Sequence, residues 1–139
     1  MTRDDLLAFV RDHRLAVVAT VSASGEPEAA VVGIAASDGF ELVFDTIETS
    51  RKAVNLRANG KIAVVVGWDG ECTLQIDGVA DEPAGGDQAG IKRVYFGAFP
   101  DGPTRQAWPG ITYFRVRPTV LRYSDFRVDP PKLVTLRVD

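Results

Sequence analysis

The sequence predicts a mainly β fold: an antiparallel barrel of six or seven strands with flanking helices. Three observations predict it. Short apolar or alternating runs recur along most of the 139 residues. Tight-turn signals separate several of them, at Ser24-Gly25-Glu26-Pro27, Asp38-Gly39 and Asp69-Gly70. Helical patterns are few and short, which disfavours a parallel sheet joined by crossover helices.

Each element has its own reason. Thr2 can cap a helix over residues 3–13, with Asp4 and Asp5 in its first turn and Leu6, Phe9, Val10 and His13 at helical spacing. Residues 15–22 are a mostly apolar strand, and residues 28–36 a second one whose small side chains permit close approach. Residues 40–45 pair back across Asp38-Gly39. A short helix through Ala53–Ala58 stops at Asn59-Gly60. Residues 61–67 are a buried strand. Residues 71–80 alternate, with Glu71, Thr73, Gln75 and Asp77 on one face and Cys72, Leu74, Ile76 and Gly78 on the other. A third helix starts at Asp87 and presents Ile91, Val94, Tyr95 and Ala98. Residues 100–110 read as a loop with three prolines, and 111–123 as a long strand placing Tyr113 and Tyr123 on one face with Arg115 and Arg117. A short strand, LVTLRV, closes the chain.

The length suits one domain over residues 1–139. A net charge of −3 with scattered basic residues gives no nucleic-acid surface. A single cysteine, Cys72, permits no intrachain disulfide and fits a reducing compartment. The N-terminus lacks a signal-peptide pattern, and no run approaches the ~18 apolar residues of a membrane span. A soluble cytoplasmic protein is the expectation. One His and one Cys make a zinc site improbable, and the lone His13 has no partners for a catalytic triad. His13 reads as a cation at a helix C-terminus, and Cys72 as a small core hydrophobe.

The most informative stretch is Thr49-Ser50-Arg51-Lys52, between a strand and a helix. Thr49 or Ser50 is the natural N-cap. The next two residues have the wrong sign for a helix start, which carries partial positive charge. Two readings stand. The cations are solvated or paired with Glu48 and Asp45, or they converge with free backbone N–H groups on a bound anion, such as a phosphate.

Residues 44–52 read FDTIETSRK. This resembles the pyridoxamine 5′-phosphate oxidase-like family, the FMN-binding split barrels. The family pattern is aromatic, aromatic, Thr, Asn, two variable residues, then Ser-Arg-Lys. Phe44, Thr46, Ser50, Arg51 and Lys52 match at the same spacing. Asn59, Trp68 and the run TLQIDGVA follow in the family's order, and ATVSASGEPEAAVVGIAASDGF resembles its opening strands. The resemblance covers residues 5–82 and, more loosely, 111–125.

The resemblance implies a split β-barrel and a homodimer holding FMN in a groove between subunits. It implies that Arg51 and Lys52 pair with the phosphate, that Ser50 hydrogen-bonds it and that Thr46 reaches the same region. Asp45 would lie along the flavin, with Val31 and Val32 beside the cofactor. The family's flavin-contacting Gln aligns with Thr73, and Gln75 on the same face is its substitute. There are departures. The family's Arg and Lys on the second strand are Ala30 and Ala35 here, and its Asn after Thr is Ile47. No His follows Arg122-Tyr123-Ser124-Asp125, where the oxidases grip pyridoxal phosphate. The expectation is therefore an FMN-dependent oxidoreductase acting on an unassigned small molecule, with no catalytic side chain named. The alternatives are a deazaflavin-dependent reductase of the same fold, or a non-enzymatic flavin- or haem-binding protein.

Overall fold

A computed structural model describes residues 1–138. Helix α1 (Arg3–Asp12) is followed by β1 (Leu15–Val21), β2 (Pro27–Gly33), β3 (Ala35–Ala36) and β4 (Leu42–Ile47). Then come α2 (Arg51–Ala58), β5 (Lys61–Val66), β6 (Cys72–Asp81), α3 (Gly85–Ala98), α4 (Gly102–Arg105), β7 (Ile111–Asp125) and β8 (Lys132–Arg137). The strands form one antiparallel sheet in the order β2-β1-β5-β6-β7-β4-β3, with β8 also on β7. It curls into the expected split barrel.

The sheet has eight strands where the sequence suggests six or seven. The added strand comes from breaking the run 28–36 in two. β2 pairs with β1 as far as Gly33, and β3 pairs with β4 instead. The change of partner falls at Gly33, where a Cβ would sit 2.8 Å from the Phe99 ring. A fourth helix, α4, lies in the expected loop, and Pro103 in its first turn suits a helix start.

The main core fills the barrel. Leu6, Leu7 and Val10 of α1 plug it, while Ala53 and Leu56 of α2 pack at its wall. Thr2 caps α1 by a reciprocal pair of hydrogen bonds with Asp5. A smaller apolar cluster lies outside the barrel, where Ile91 and Tyr95 of α3 cover Val43 and Tyr113. β4 is thus covered on both faces: Leu42 and Phe44 enter the barrel core, and Val43 faces α3.

Tyr113 and Tyr123 do not share a face. A bulge opposite Asp77/Gly78 shifts the register of β7, so Tyr113 packs under α3 and Tyr123 enters the barrel core. The bulge sits where Gly78 lets the strands close up, since a Cβ there would meet the Arg117 carbonyl oxygen at 2.7 Å. Arg115 and Arg117 pair with Asp81 and Glu41.

Candidate functional site

The site is built where β4 hands over to α2. Ser50 is the N-cap, and its hydroxyl accepts from the Ala53 amide at 3.3 Å. The Thr46 hydroxyl lies 3.0 Å from that of Ser50. The amides of Arg51 and Lys52 open the helix, where intrahelical acceptors are lacking. No acidic residue stands in the first turn of α2. Two hydroxyls, two cations and a positive helix end therefore converge on one corner.

The two cations are treated differently. Arg51 donates to Glu28 of β2 at 3.1 Å, and its side chain is otherwise largely exposed. Neither Glu48 nor Asp45, its near neighbours in sequence, is its partner. Lys52 is half-buried and has no acidic partner among the described residues. Burial pushes its pKa down from 10.5 and the Arg51 charge adds to the fall, while the Asp45 carboxylate, which makes no ion pair with it, acts weakly the other way. A half-desolvated ammonium without a counter-ion is what a bound anion would correct. The residues present fit the phosphate of a cofactor on that ground.

Asp45 faces the other way. It accepts from Tyr95 Oη at 3.0 Å and from Arg105 Nε at 2.9 Å, beneath α3 and α4. Both members of the Asp45–Arg105 pair are mostly buried. Burial raises the pKa of Tyr95, and the Asp45 charge adds to it. The hydrogen bond to Asp45 raises that of Arg105. Nothing in the sequence signals this pairing, which spans sixty residues.

The remaining expected contacts spread over the sheet. Val32 is in the core and Val31 points out, as consecutive strand residues must. Cross-strand partners run Val31–Val17–Val65–Gln75–Arg122 across the outer face. Gln75 is exposed and Thr73 half-buried on that face. β6 lies three strands from β2, roughly 14 Å at about 4.8 Å per strand.

Among residues not singled out by the sequence, Glu28, Asn55 and Thr20 stand out. Asn55 donates to Glu28 at 2.7 Å and to Thr20 at 2.9 Å. The readable signal was Glu28 itself, an acid at an inward position of an apolar strand. His13 caps the C-terminus of α1, with Nδ1 2.7 Å from the Phe9 carbonyl oxygen. Cys72 packs against the core beside Tyr123, whose hydroxyl it pushes up to about 12. No group of His, Cys, Asp and Glu suited to a metal occurs among the described residues, and no described helix is long and apolar enough to cross a membrane.

The family model for pyridoxamine 5′-phosphate oxidase matches residues 2–125. A pyridoxine/pyridoxamine 5′-phosphate oxidase from Bordetella avium is 35% identical over 102 residues, 73% of this chain and 47% of that enzyme. The chain spans about half the length of the curated relatives it matches. Among solved structures, a haem binding protein from Mycobacterium smegmatis superposes with a TM-score of 0.82 at 14% identity, over 99% of this chain and 58% of that one. A pyridoxamine 5′-phosphate oxidase-related, FMN binding protein from Nostoc punctiforme gives a TM-score of 0.74 at 14% identity, over 99% and 96%. At these identities the structural likeness is one of fold.

Proposed function

The chain belongs to the pyridoxamine 5′-phosphate oxidase family, and from that premise we propose that it is an FMN-binding oxidoreductase that works as a homodimer. The observation that carries this reading is Lys52: half-buried, without an acidic partner, at a helix start that has no acid. Lys52, Arg51, the Ser50 hydroxyl and the opening amides of α2 would hold the phosphate, and Thr46 orients Ser50. Bound FMN would supply two-electron chemistry, accepting a hydride from an organic substrate and passing electrons onward. This chain's side chains bind and orient; none is assigned an acid or base role.

The outer sheet face supports the dimer. Leu15, Val31 and Val79 are each at least half exposed there, beside half-buried Val17 and Val65. Thr73 and Gln75 border this face. A second copy packed on it would bring its own Thr73 and Gln75 toward this chain's cofactor.

The test is the absorbance spectrum and mass of whatever co-purifies, followed by FMN titration of the stripped protein. FMN at one per subunit is expected. Haem, a deazaflavin, or no FMN binding on reconstitution overturns the reading. Val31→Arg is expected to convert a dimer to a monomer in sedimentation; an unchanged mass, or a monomeric unmodified chain, removes the dimer.

A further inference from the structure

Glu28 is an inward-facing carboxylate on a strand of small and apolar residues, and it lies at the corner that would take the phosphate. One carboxylate oxygen accepts from Arg51 Nη1 at 3.1 Å, the other from Asn55 Nδ2 at 2.7 Å. Asn55 is buried and braced on the buried Thr20 hydroxyl. Thr20 faces Glu28 directly across β1 and β2. The carboxylate is thus held from two sides and mostly buried. The notch that Glu28 lines with Val18, Thr20, Ala29, Ala30, Arg51 and Lys52 is only about 70 Å³. That is room for roughly two waters at their liquid volume. The position nearest Arg51 is already filled by a negative group.

We propose that Glu28 is an internal counter-anion of the cradle, which neutralises Arg51 in the unloaded protein and competes with the cofactor's phosphate for it. The proposal rests on the phosphate reading given above and adds what governs loading. A phosphate ester brings up to two charges and three acceptor oxygens, and so can draw Arg51 from a single carboxylate. A simple carboxylate or chloride brings too little. An unphosphorylated flavin gains nothing at this corner. Glu28 therefore sets how tightly the cradle holds phosphorylated ligands and leaves unphosphorylated ones unaffected.

Glu28→Gln is the direct test, because it removes the charge at nearly constant size: its one amide oxygen can keep the Asn55 contact, and its NH2 no longer accepts from Arg51. Inorganic phosphate, FMN and riboflavin are titrated by calorimetry into the unmodified protein and the variant, each with and without Arg51→Ala. The variant is expected to bind phosphate and FMN about tenfold tighter, with riboflavin unchanged and the gain absent once Arg51 is removed. Equal or weaker phosphate binding in Glu28→Gln overturns the proposal, since Glu28 would then merely orient Arg51. If FMN binds neither protein, the FMN reading falls, and the phosphate titration still decides the role of Glu28. Phosphate binding to neither protein overturns both. Should Glu28→Gln fail to fold, Glu28→Asp, which withdraws the carboxylate by one methylene, decides in its place: tighter phosphate binding supports the proposal, equal or weaker binding overturns it.

Discussion

Asp45 and Thr46 are neighbours on β4, yet they belong to two corners with opposite electrostatic logic. On the Asp45 side every charge has its answer. The carboxylate is held by Arg105 and Tyr95, and Arg105 is held again by Asp101 at 2.8 Å. On the Thr46 side the charges do not close. Arg51 shares one carboxylate with Asn55, and Lys52 has none. Both corners hold perturbed titratable groups, so perturbation alone does not mark function. A partly buried charge that already has a partner is fastening α3 and α4 to the barrel. A partly buried charge without one is open to a bound anion, which is the role proposed above for Lys52.

The largest expected effect separates the corners outright. Arg51→Ala with Lys52→Ala removes two charge-assisted contacts to the phosphate, each worth about 1.5–3 kcal/mol. FMN affinity should fall at least about 100-fold, while the melting temperature changes little, because relief of two like charges at a positive helix end is offset by the loss of Arg51 from the mostly buried Glu28. Unchanged FMN affinity would erase the distinction. Asp45→Ala should do the reverse. It leaves Arg105 partly buried beside Tyr95 without its carboxylate, at a cost of about 3 kcal/mol in denaturant unfolding. Replacing both partners, as Asp45→Leu with Arg105→Met, should recover much of that loss. A loss of FMN affinity in Asp45→Ala to match the cation variant, at full stability, would move Asp45 to the other corner.

The two corners were not equally legible. The Thr46–Lys52 corner is contiguous in sequence, so a strand end, a cap residue and two misplaced cations could be seen together. The choice between Thr49 and Ser50 as cap needed the backbone, which selects Ser50. The Asp45 corner joins three elements far apart in the chain, and no local pattern foretells that Arg105 folds back onto Asp45. Asp45 therefore read as a cofactor neighbour or as a partner for Arg51. The barrel was readable because turns and alternation are local signals. The break at Gly33 and the bulge opposite Gly78 were not, because each answers to a group distant in sequence, the Phe99 ring and the Arg117 carbonyl.

A smaller effect lies in the pH dependence. The pKa of Lys52 is lowered from 10.5 by burial and then by Arg51. The folded chain therefore holds this proton less tightly than the unfolded chain does, and stability of the unloaded protein should rise as pH climbs through the lowered pKa toward 10.5. Anion binding favours the charged amine, so FMN affinity should fall over that same window. The two trends have opposite signs at one residue. Lys52→Met should flatten both. An affinity loss that persists in Lys52→Met would assign the titration to another group.

The smallest effect on stability tests whether the helix and the ligand want the same thing from Ser50. Ser50→Ala loses the cap to the Ala53 amide and the partner of Thr46, and should cost about 1 kcal/mol. Ser50→Asp keeps the cap and places an acid beside Arg51 and Lys52 at a helix start that has none. For the helix alone this is an improvement, worth a few tenths of a kcal/mol. For a phosphate it is a like charge at contact distance, so FMN affinity should drop about tenfold or more while the melting temperature stays level or rises. The opposed response is diagnostic. If the corner were an ordinary helix start with solvated cations, Ser50→Asp would stabilise the protein and change no binding at all.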